Sequence, residues 1–299
     1  MKKAGIIKKF GVSNWILLAI LSIYGISMLL LIAWGLSTSL KTRDDFYTNK
    51  VWLPSGAIST WGWSNIPYVL ENFELDVITQ QGAKLYVGID YQLLYTILYA
   101  GGGALMAVSC SCIAGYMTSK FDYAFSKVVY TAVLVTMVIP VIGSAPAMVI
   151  FLKKLNIYDT YIGAYFMKFG FFNMYYLIIF ATYKRISPEF AEAATIDGAS
   201  ELQIFVQIMV PMILPTLSTI YLIYFIEYWN DYQMALLYMP SHPTLAYGVY
   251  NMANSTKGGL SSPPMRMAGY IITAMPILIL FIVFRNKIMG NVTMGGVKE

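Results

Sequence analysis

The side chains best suited to chemistry in this sequence are the few charged and amide groups that interrupt or border its apolar segments. They are Lys168, Asn173, Glu227, Asn230 and Asp231. A charge inside an apolar segment long enough to span a membrane is costly, so it favours a functional role by default. Glu227 and Asp231 also lie near the end of their segment, where a charged group reaches water at little cost. Both interpretations stay open, a ligand contact and an interfacial charge.

The sequence contains no pattern typical of an enzyme or a metal centre. No serine–histidine–carboxylate set or cysteine–histidine cluster is apparent, and His242 is the only histidine. Cys110 and Cys112 stand two apart on a predicted helix and therefore point to different faces. No Gly-x-x-x-x-Gly-Lys-Ser/Thr loop occurs, which excludes ATP binding by that route. We predict no catalytic residue, no metal and no cofactor in this chain.

Composition predicts a membrane protein. The chain is 58% hydrophobic and 12% charged, whereas a soluble domain has about 25% charged residues. Its net charge of +5 comes from basic residues that flank apolar segments, a distribution that favours membrane orientation over nucleic-acid binding. A bilayer core of about 30 Å needs about 20 apolar residues in a helix. We predict an all-α membrane protein with six transmembrane helices, at about 15–37, 92–116, 128–151, 161–182, 208–229 and 267–284.

The basic residues also predict the direction of the first helix. Lys2, Lys3, Lys8 and Lys9 precede it without any acidic residue. By the positive-inside rule this terminus is cytoplasmic, and six spans return the other terminus to the same side. The predicted regions are a cytoplasmic amino terminus (1–14), a first transmembrane helix (15–37), an external segment (38–91), a transmembrane domain (92–284) and a cytoplasmic tail (285–299).

A cytoplasmic loop at 186–207 has the signals of a short helix, a glycine break and a second helix start. Ser187 is a good N-cap, and Pro188 suits the first helical position. Gly198 can adopt the left-handed conformation that ends a helix. Ser200 and Gln203 have the spacing of a capping box.

The first of these two helices has one narrow apolar face. Phe190, Ala193 and Ala194 lie at i, i+3 and i+4, so they share this face. A helix this short is marginal alone in water and needs something to dock against. We predict that the face inserts into a cleft on another protein.

The same loop resembles a known motif. Glu192-Ala-Ala-x-x-Asp197-Gly198, followed by Ile208 and Pro211, is similar to the EAA loop of the membrane subunits of ABC importers. In that family the loop is a coupling helix that sits in a groove on a cytoplasmic ATPase. The resemblance assigns this coupling role to Glu192, Ala193, Ala194, Asp197, Gly198 and Ala199.

The resemblance extends along most of the chain and points to the carbohydrate branch of the family. Thr136–Pro140, Leu155–Thr160, Tyr228–Tyr232 and Pro243–Gly248 are similar to segments of the second permease of maltose-type importers. The tail residues Gly295, Gly296, Val297 and Lys298 resemble the tail of that branch, which implies contact with the ATPase. This chain departs from the pattern by ending in Glu299 instead of glycine.

The resemblance implies a set of partners and a location. They are a second homologous permease that forms a heterodimer with this chain, a dimeric ATPase that binds ATP and magnesium, and an extracellular sugar-binding protein. The location is the bacterial cell membrane, in contact with lipid. No nucleic-acid partner is implied.

Tyrosines around the fifth predicted span suggest a sugar pathway. Tyr221, Tyr224 and Tyr228 share one helix face, and each offers a flat ring to a sugar together with a hydroxyl. The candidate pathway residues are Tyr221, Tyr224, Glu227, Tyr228, Trp229 and Asn230. A tyrosine belt at the membrane interface explains the same pattern. In the family's best-known arrangement, moreover, the partner permease holds most of the sugar.

Two rival functions stay open at this point. One is an ABC permease for a solute other than a sugar. The other is a transporter driven by an ion gradient, which would use intramembrane charges such as Lys168 and Glu227. The second rival leaves the Glu192–Gly198 loop without a purpose.

Overall fold

The structure is a computed structural model that describes residues 11–79, 82–121, 123–139, 143–254 and 259–292. The described chain is mostly helical, as predicted, with one two-stranded hairpin in addition. It forms two compact units, Met1–Asn72 with Ser255–Ile272 and Phe73–Asn254 with Thr273–Glu299.

The first unit begins with the first apolar helix. Its elements are α1 (Val12–Ser39), α2 (Arg43–Thr48), a 3₁₀ turn (Ile58–Thr60), α3 (Asn65–Asn72), a second 3₁₀ turn (Gly259–Ser261) and the start of α14 (Pro263–Val292). The second unit contains β1 (Leu75–Ile78), β2 (Lys84–Val87), α4 (Ile89–Lys120), α5 (Ala124–Val138), α6 (Ala145–Lys154), α7 (Tyr161–Met167), α8 (Met174–Lys184), α9 (Glu189–Ile196), α10 (Glu201–Gln203), a π-helical turn (Ile204–Met209), α11 (Val210–Trp229), α12 (Tyr232–Tyr238), α13 (Leu245–Asn254) and the rest of α14.

Four helices in the described chain are long and apolar enough to cross a membrane. They are Ser13–Ser39, Ile89–Lys120, Glu201–Trp229 and Pro263–Phe284. These helices correspond to the first, second, fifth and sixth predicted spans.

The third and fourth predicted spans are not continuous helices, and their predicted bounds are wrong. The segment predicted at 128–151 consists of α5 and α6, and Pro146 lies in the first turn of α6. Proline suits a helix start because its missing N–H has no intrahelical acceptor there. The segment predicted at 161–182 consists of α7 and α8, because the Asn173 side chain accepts a hydrogen bond from the Tyr176 amide and starts a new helix.

The predicted external segment contains a hairpin that the sequence analysis did not anticipate. Leu75 pairs with Val87 in its antiparallel register. Leu75 and Val77 are buried while the residues between and after them are exposed, which is the alternation of a strand with one covered face. Each strand has only four residues, which is too short for a clear alternation of apolar and polar residues in the sequence.

Helix α4 is the centre of the second unit, and α8 and α11 pack against it more extensively than any other helix pair. Its buried positions include Gly103, Ala104, Ala107, Ser111 and Gly115. Small residues allow this approach, because helix association in lipid depends on close packing. The small residues of α4 therefore form the surface on which its neighbouring helices pack.

The entry into α11 differs from a regular α-helix. Ile204–Met209 form a π-helical turn, and Pro211 follows in the first turn of α11. Pro215 lies inside α11. A proline provides no N–H for the helical ladder, and irregular helical turns of this kind satisfy the remaining backbone groups. The helix nevertheless continues to Trp229.

Asp159 joins two loops of the second unit. Its carboxylate accepts hydrogen bonds from the Ser241 hydroxyl at 2.6 Å and the Ser241 amide at 3.0 Å. His242 Nδ1 lies 3.5 Å from Asp159 Oδ1. Burial alone would raise the pKa of Asp159, but these partners outweigh it and lower the pKa. The stabilisation from this carboxylate is therefore present at neutral pH and is lost as the pH falls through its lowered pKa.

The packing around α4 gives a first testable prediction. A methyl group at Gly115 would lie 2.8 Å from Ile179 Cγ2, whereas nothing lies within 4 Å of the same position at Gly25 in α1. Gly115→Ala should lower the stability of the purified protein by about 1–3 kcal/mol through overpacking. The matched change Gly25→Ala should leave the thermal unfolding temperature in detergent unchanged or raise it slightly. Equal unfolding temperatures for the two variants would contradict the close approach of α4 and α8.

Candidate functional site

The loop at 186–207 has the predicted local geometry. The Ser187 hydroxyl accepts a hydrogen bond from the Glu189 amide, at 3.3 Å, ahead of α9. Gly198 has φ +84°, and the Ser200–Gln203 capping box is complete. The Gly198 amide donates to Thr195 O and the Ala199 amide to Ala194 O, which together form a Schellman motif. The glycine break and the capping box are therefore confirmed, whereas α9 begins at Glu189 with Pro188 as its N-cap, one residue later than predicted.

One part of the predicted docking face is wrong. Phe190 is 51% exposed and Ala193 is exposed, but Ala194 is only 9% exposed. Ala194 belongs to the apolar core of the second unit, together with Ile204 and Met209 of the π-helical turn. It faces inward because α9 packs against this turn. The Ala194 methyl group therefore packs α9 onto the core and is not available to a partner.

The remaining residues assigned to coupling are distributed around the loop. Glu192, Asp197 and Gly198 are exposed, whereas Ala199 is half-buried and packs against the core. Ile196, which the sequence analysis did not single out, is 86% exposed. The only signal for it was an apolar residue directly before Asp197-Gly198. The tail residues Gly295, Gly296, Val297 and Lys298 lie outside the described residues.

The loop at 186–207 is held by the end of α4. Lys120 Nζ donates a 2.7 Å hydrogen bond to the carbonyl oxygen of Ile186, immediately before the cap of α9. The Tyr116 ring lies 4.8 Å from the Phe205 ring of the π-helical turn and 5.5 Å from the Tyr183 ring of α8. Contacts from one turn of α4 therefore reach both ends of the loop.

A second group of polar residues meets around Asp231, at the junction of α11 and α12. The Lys168 ammonium lies 3.5 Å from Asp231 Oδ2, and the Tyr99 hydroxyl donates to the same oxygen at 2.8 Å. Lys168 Nζ also lies 4.2 Å from the centroid of the Tyr228 ring. The Met234 amide donates to Asp231 Oδ1 at 3.0 Å and starts α12. The polar cluster is thus Tyr99, Lys168, Tyr228 and Asp231.

Helix breaks bring this cluster together. Lys168 ends α7 and Asp231 begins α12, so each charge lies where a helix is interrupted. The side chains are 17% and 25% exposed, respectively. Asp231 is therefore an ion-paired residue that the chain itself covers, and the alternative of a free interfacial charge does not apply to it. Glu227, in contrast, is exposed.

Aromatic rings extend the cluster into a row. The Tyr228 and Tyr224 rings stack at 5.5 Å, and the Tyr175 ring meets Tyr224 edge-on at 4.7 Å. Tyr224 and Tyr228 are each 6% exposed, whereas Tyr175 is half-buried.

The other candidate pathway residues do not all join this row. Tyr221 is half-buried beside Gly101, and Asn230 is exposed. Trp229 is buried and packs on Phe225 at 5.6 Å. Tyr99 and Tyr175 were missed because they belong to other helices, and no spacing within the fifth span points to them.

The ion pair gives a second prediction. Lys168→Met and Asp231→Asn should each destabilise the protein, because each leaves a largely covered charge without its partner. The double variant should be more stable than the sum of the two changes predicts, by about 0.5–3 kcal/mol. Asparagine retains an oxygen that can accept a hydrogen bond from the Met234 amide. The comparison of the two single variants with the double variant therefore measures the interaction between the two charges. Strictly additive unfolding energies would show that the pair contributes nothing.

Comparisons with known proteins identify the family of this chain. Residues 107–291 match the family described as binding-protein-dependent transport system inner membrane component. The melibiose/raffinose/stachyose import permease protein MelC of Bacillus subtilis is 24% identical over 265 residues, which cover 88% of this chain and 89% of MelC. The trehalose/maltose transport system permease protein MalG of Thermococcus litoralis is 26% identical over 206 residues, 68% of this chain and 73% of MalG.

A solved structure has the same fold. It is the crystal structure of a bacterial ABC transporter involved in the import of the acidic polysaccharide alginate. The match has a TM-score of 0.74 at 20% identity and covers 93% of this chain and 98% of the solved chain. Because the family match alone spans more than half of the chain, the chain belongs to the binding-protein-dependent transport system inner membrane components, the multi-pass permease subunits of ABC importers, which are transport components and not enzymes.

Proposed function

We propose that this chain forms one half of the translocation pathway of an ATP-driven importer for a sugar or oligosaccharide. The observation that supports this most directly is the loop around α9. It is a short, exposed helix that ends in a Schellman motif, and it occurs in a chain of the importer permease family. A helix of eight residues with exposed Phe190 and Ile196 is suited to binding in a groove on another subunit.

The choice of a sugar rests on relatives and on the aromatic row. The relatives MelC and MalG are named for the import of melibiose, raffinose and stachyose, and of trehalose and maltose. Tyr175, Tyr224 and Tyr228 offer the flat rings and hydroxyls that a sugar ring uses. Glu227 stands exposed on the same helix and supplies an acceptor for sugar hydroxyls.

The proposed partners follow from this function. A second, homologous permease completes the pathway as a heterodimer, and an extracellular sugar-binding protein delivers the solute. A dimeric cytoplasmic ATPase binds ATP and magnesium, so this chain needs no cofactor of its own. Glu192, Ala193, Asp197 and Gly198 contact the ATPase, and the tail residues 295–298 add a second contact.

The proposed location is the bacterial cell membrane, with both termini in the cytoplasm. On this scheme 38–91 is external, and the loop at 186–207 is on the ATPase side. The four lysines before the first span support this direction.

Helix α4 connects the loop at 186–207 with the aromatic row. Lys120, at one end of α4, binds the entrance of the coupling loop. Toward the other end, Gly103 and Tyr99 pack on Tyr228. Movement of the loop by ATP-driven closure would therefore reach the aromatic row through one continuous helix.

The coupling segment gives a third prediction. Gly198→Val should misdirect the chain after α9, because a branched residue at φ +84° is strained by about 1 kcal/mol or more. Ile196→Glu should weaken docking without unfolding the chain, because Ile196 is 86% exposed. Both variants should insert in the membrane, bind less ATPase in co-purification and lose most sugar-stimulated ATP hydrolysis.

Thr195→Ser is the control for this test, since it keeps the hydroxyl that donates to Ala191 O. Full ATPase binding and full stimulated hydrolysis in both Gly198→Val and Ile196→Glu would rule out the loop as the coupling element.

The proposed orientation gives a fourth prediction. A cysteine at the exposed position Ser59 should react with a membrane-impermeant thiol reagent in intact cells. A cysteine at Thr195, in α9, should react only after the membrane is opened. Labelling of Thr195→Cys from outside would place the loop on the wrong side for an ATPase.

A further inference from the structure

The turn after α2 exposes three consecutive apolar side chains. Val51 is 67% exposed, Trp52 is 79% exposed and Leu53 is 68% exposed. Lys50, which precedes them, is also exposed. An exposed apolar run of this kind is unusual on a water-facing loop and indicates a contact surface.

This turn lies alongside the last turns of α1. The Trp34 indole donates to the carbonyl oxygen of Lys50 at 2.9 Å, and the Ser37 hydroxyl donates to that of Trp52 at 3.3 Å. Trp34 and Ser37 belong to the apolar span Ser13–Ser39. The turn is therefore held beside a part of α1 that lies about 3–8 Å before the carboxyl-terminal end of the helix, measured along the helix axis at about 1.5 Å per residue.

The depth of the turn follows from the length of α1. Its 28 residues extend for about 42 Å, whereas the hydrocarbon core is about 30 Å thick. If the core is centred on the span, Trp34 lies just inside its boundary and Ser37 just outside. Tryptophan is enriched at this boundary, where one side of the ring is apolar and the other polar.

Several backbone groups of the turn form hydrogen bonds to side chains of the protein and do not need water as a partner. In addition to the two carbonyl groups already named, the carbonyl of Asn49 accepts from Lys41 Nζ at 2.6 Å, and that of Leu53 accepts from Asn49 Nδ2 at 2.8 Å. The Trp52 amide donates to Asn49 Oδ1 at 3.1 Å. Irregular backbone at membrane depth must have its polar groups satisfied by protein, and these side chains do so for the carbonyl groups of Asn49, Lys50, Trp52 and Leu53 and for the Trp52 amide.

We propose that Val51–Leu53 is a membrane-interface anchor, which inserts its three side chains among the lipids at the carboxyl-terminal end of α1. The ligand is the lipid at the boundary between headgroups and acyl chains, and Lys50 is placed to reach its phosphate. The segment predicted as an external cap therefore includes a part that lies in the membrane surface. This proposal does not depend on the solute or on the direction of the chain in the membrane.

Fluorescence quenchers in the lipid and in the aqueous phase test this anchor directly. An environment-sensitive fluorophore is attached to Trp52→Cys, and in a separate variant to Leu53→Cys, in the full-length chain with the subunits that co-purify with it, in nanodiscs. Ser59→Cys is the control. Ser59 is a polar, exposed residue of the same unit, and it lies in the next turn of the chain, the 3₁₀ turn Ile58–Thr60. The unsubstituted chain gives the background from the buried Cys110 and Cys112.

Phospholipids with a nitroxide near the headgroup end of the acyl chain should quench positions 52 and 53 severalfold more strongly than position 59. Aqueous iodide should show the reverse order. Iodide quenching at 52 and 53 equal to that at 59 would overturn the anchor, because the turn would then be in water. Protection from both quenchers would overturn it as well, since a protein partner and not lipid would cover the turn.

Discussion

The structure depends on close approach of helices to the small-residue surface of α4. In lipid the hydrophobic effect does not drive helices together, so van der Waals packing has to hold them. Gly115 lets Ile179 of α8 come so near that an added methyl group would lie 2.8 Å from it. Gly103 does the same for Tyr228 of α11, where the methyl group would lie at 3.2 Å. The positions of α8 and α11, and with them the loop at 186–207 and the polar cluster, follow from these contacts.

Interrupted helices are the second feature that the function requires. The break between α7 and α8 and the break between α11 and α12 place Lys168 against Asp231. Broken helices in transporters expose polar groups at membrane depth, where a continuous helix would hide its backbone. Here the charges pair with each other, and Tyr99 supplies a further hydrogen bond. The result is a covered polar cluster at the end of an aromatic row.

The sequence predicted the features that depend on local chemistry. The capping box at Ser200 and the positive φ of Gly198 depend on neighbouring residues, and they were predicted correctly. The break inside the fourth span was missed, because hydropathy averages over a window longer than the interruption. Ala194 was assigned to the wrong face because spacing defines a shared face but not what covers it. Tyr99 and Tyr175 could not be found at all, since contacts between distant helices leave no trace in local spacing.

We propose that ATP hydrolysis, transmitted through the loop around α9, drives sugar import. The most direct test is uptake of labelled oligosaccharide into proteoliposomes that contain this chain with its neighbouring permease and ATPase, in the presence of the binding protein. The account predicts uptake that requires ATP on the ATPase side and continues when ionophores abolish all ion gradients. Uptake by this chain alone, independent of ATP and abolished by ionophores, would contradict the account and favour a transporter driven by an ion gradient.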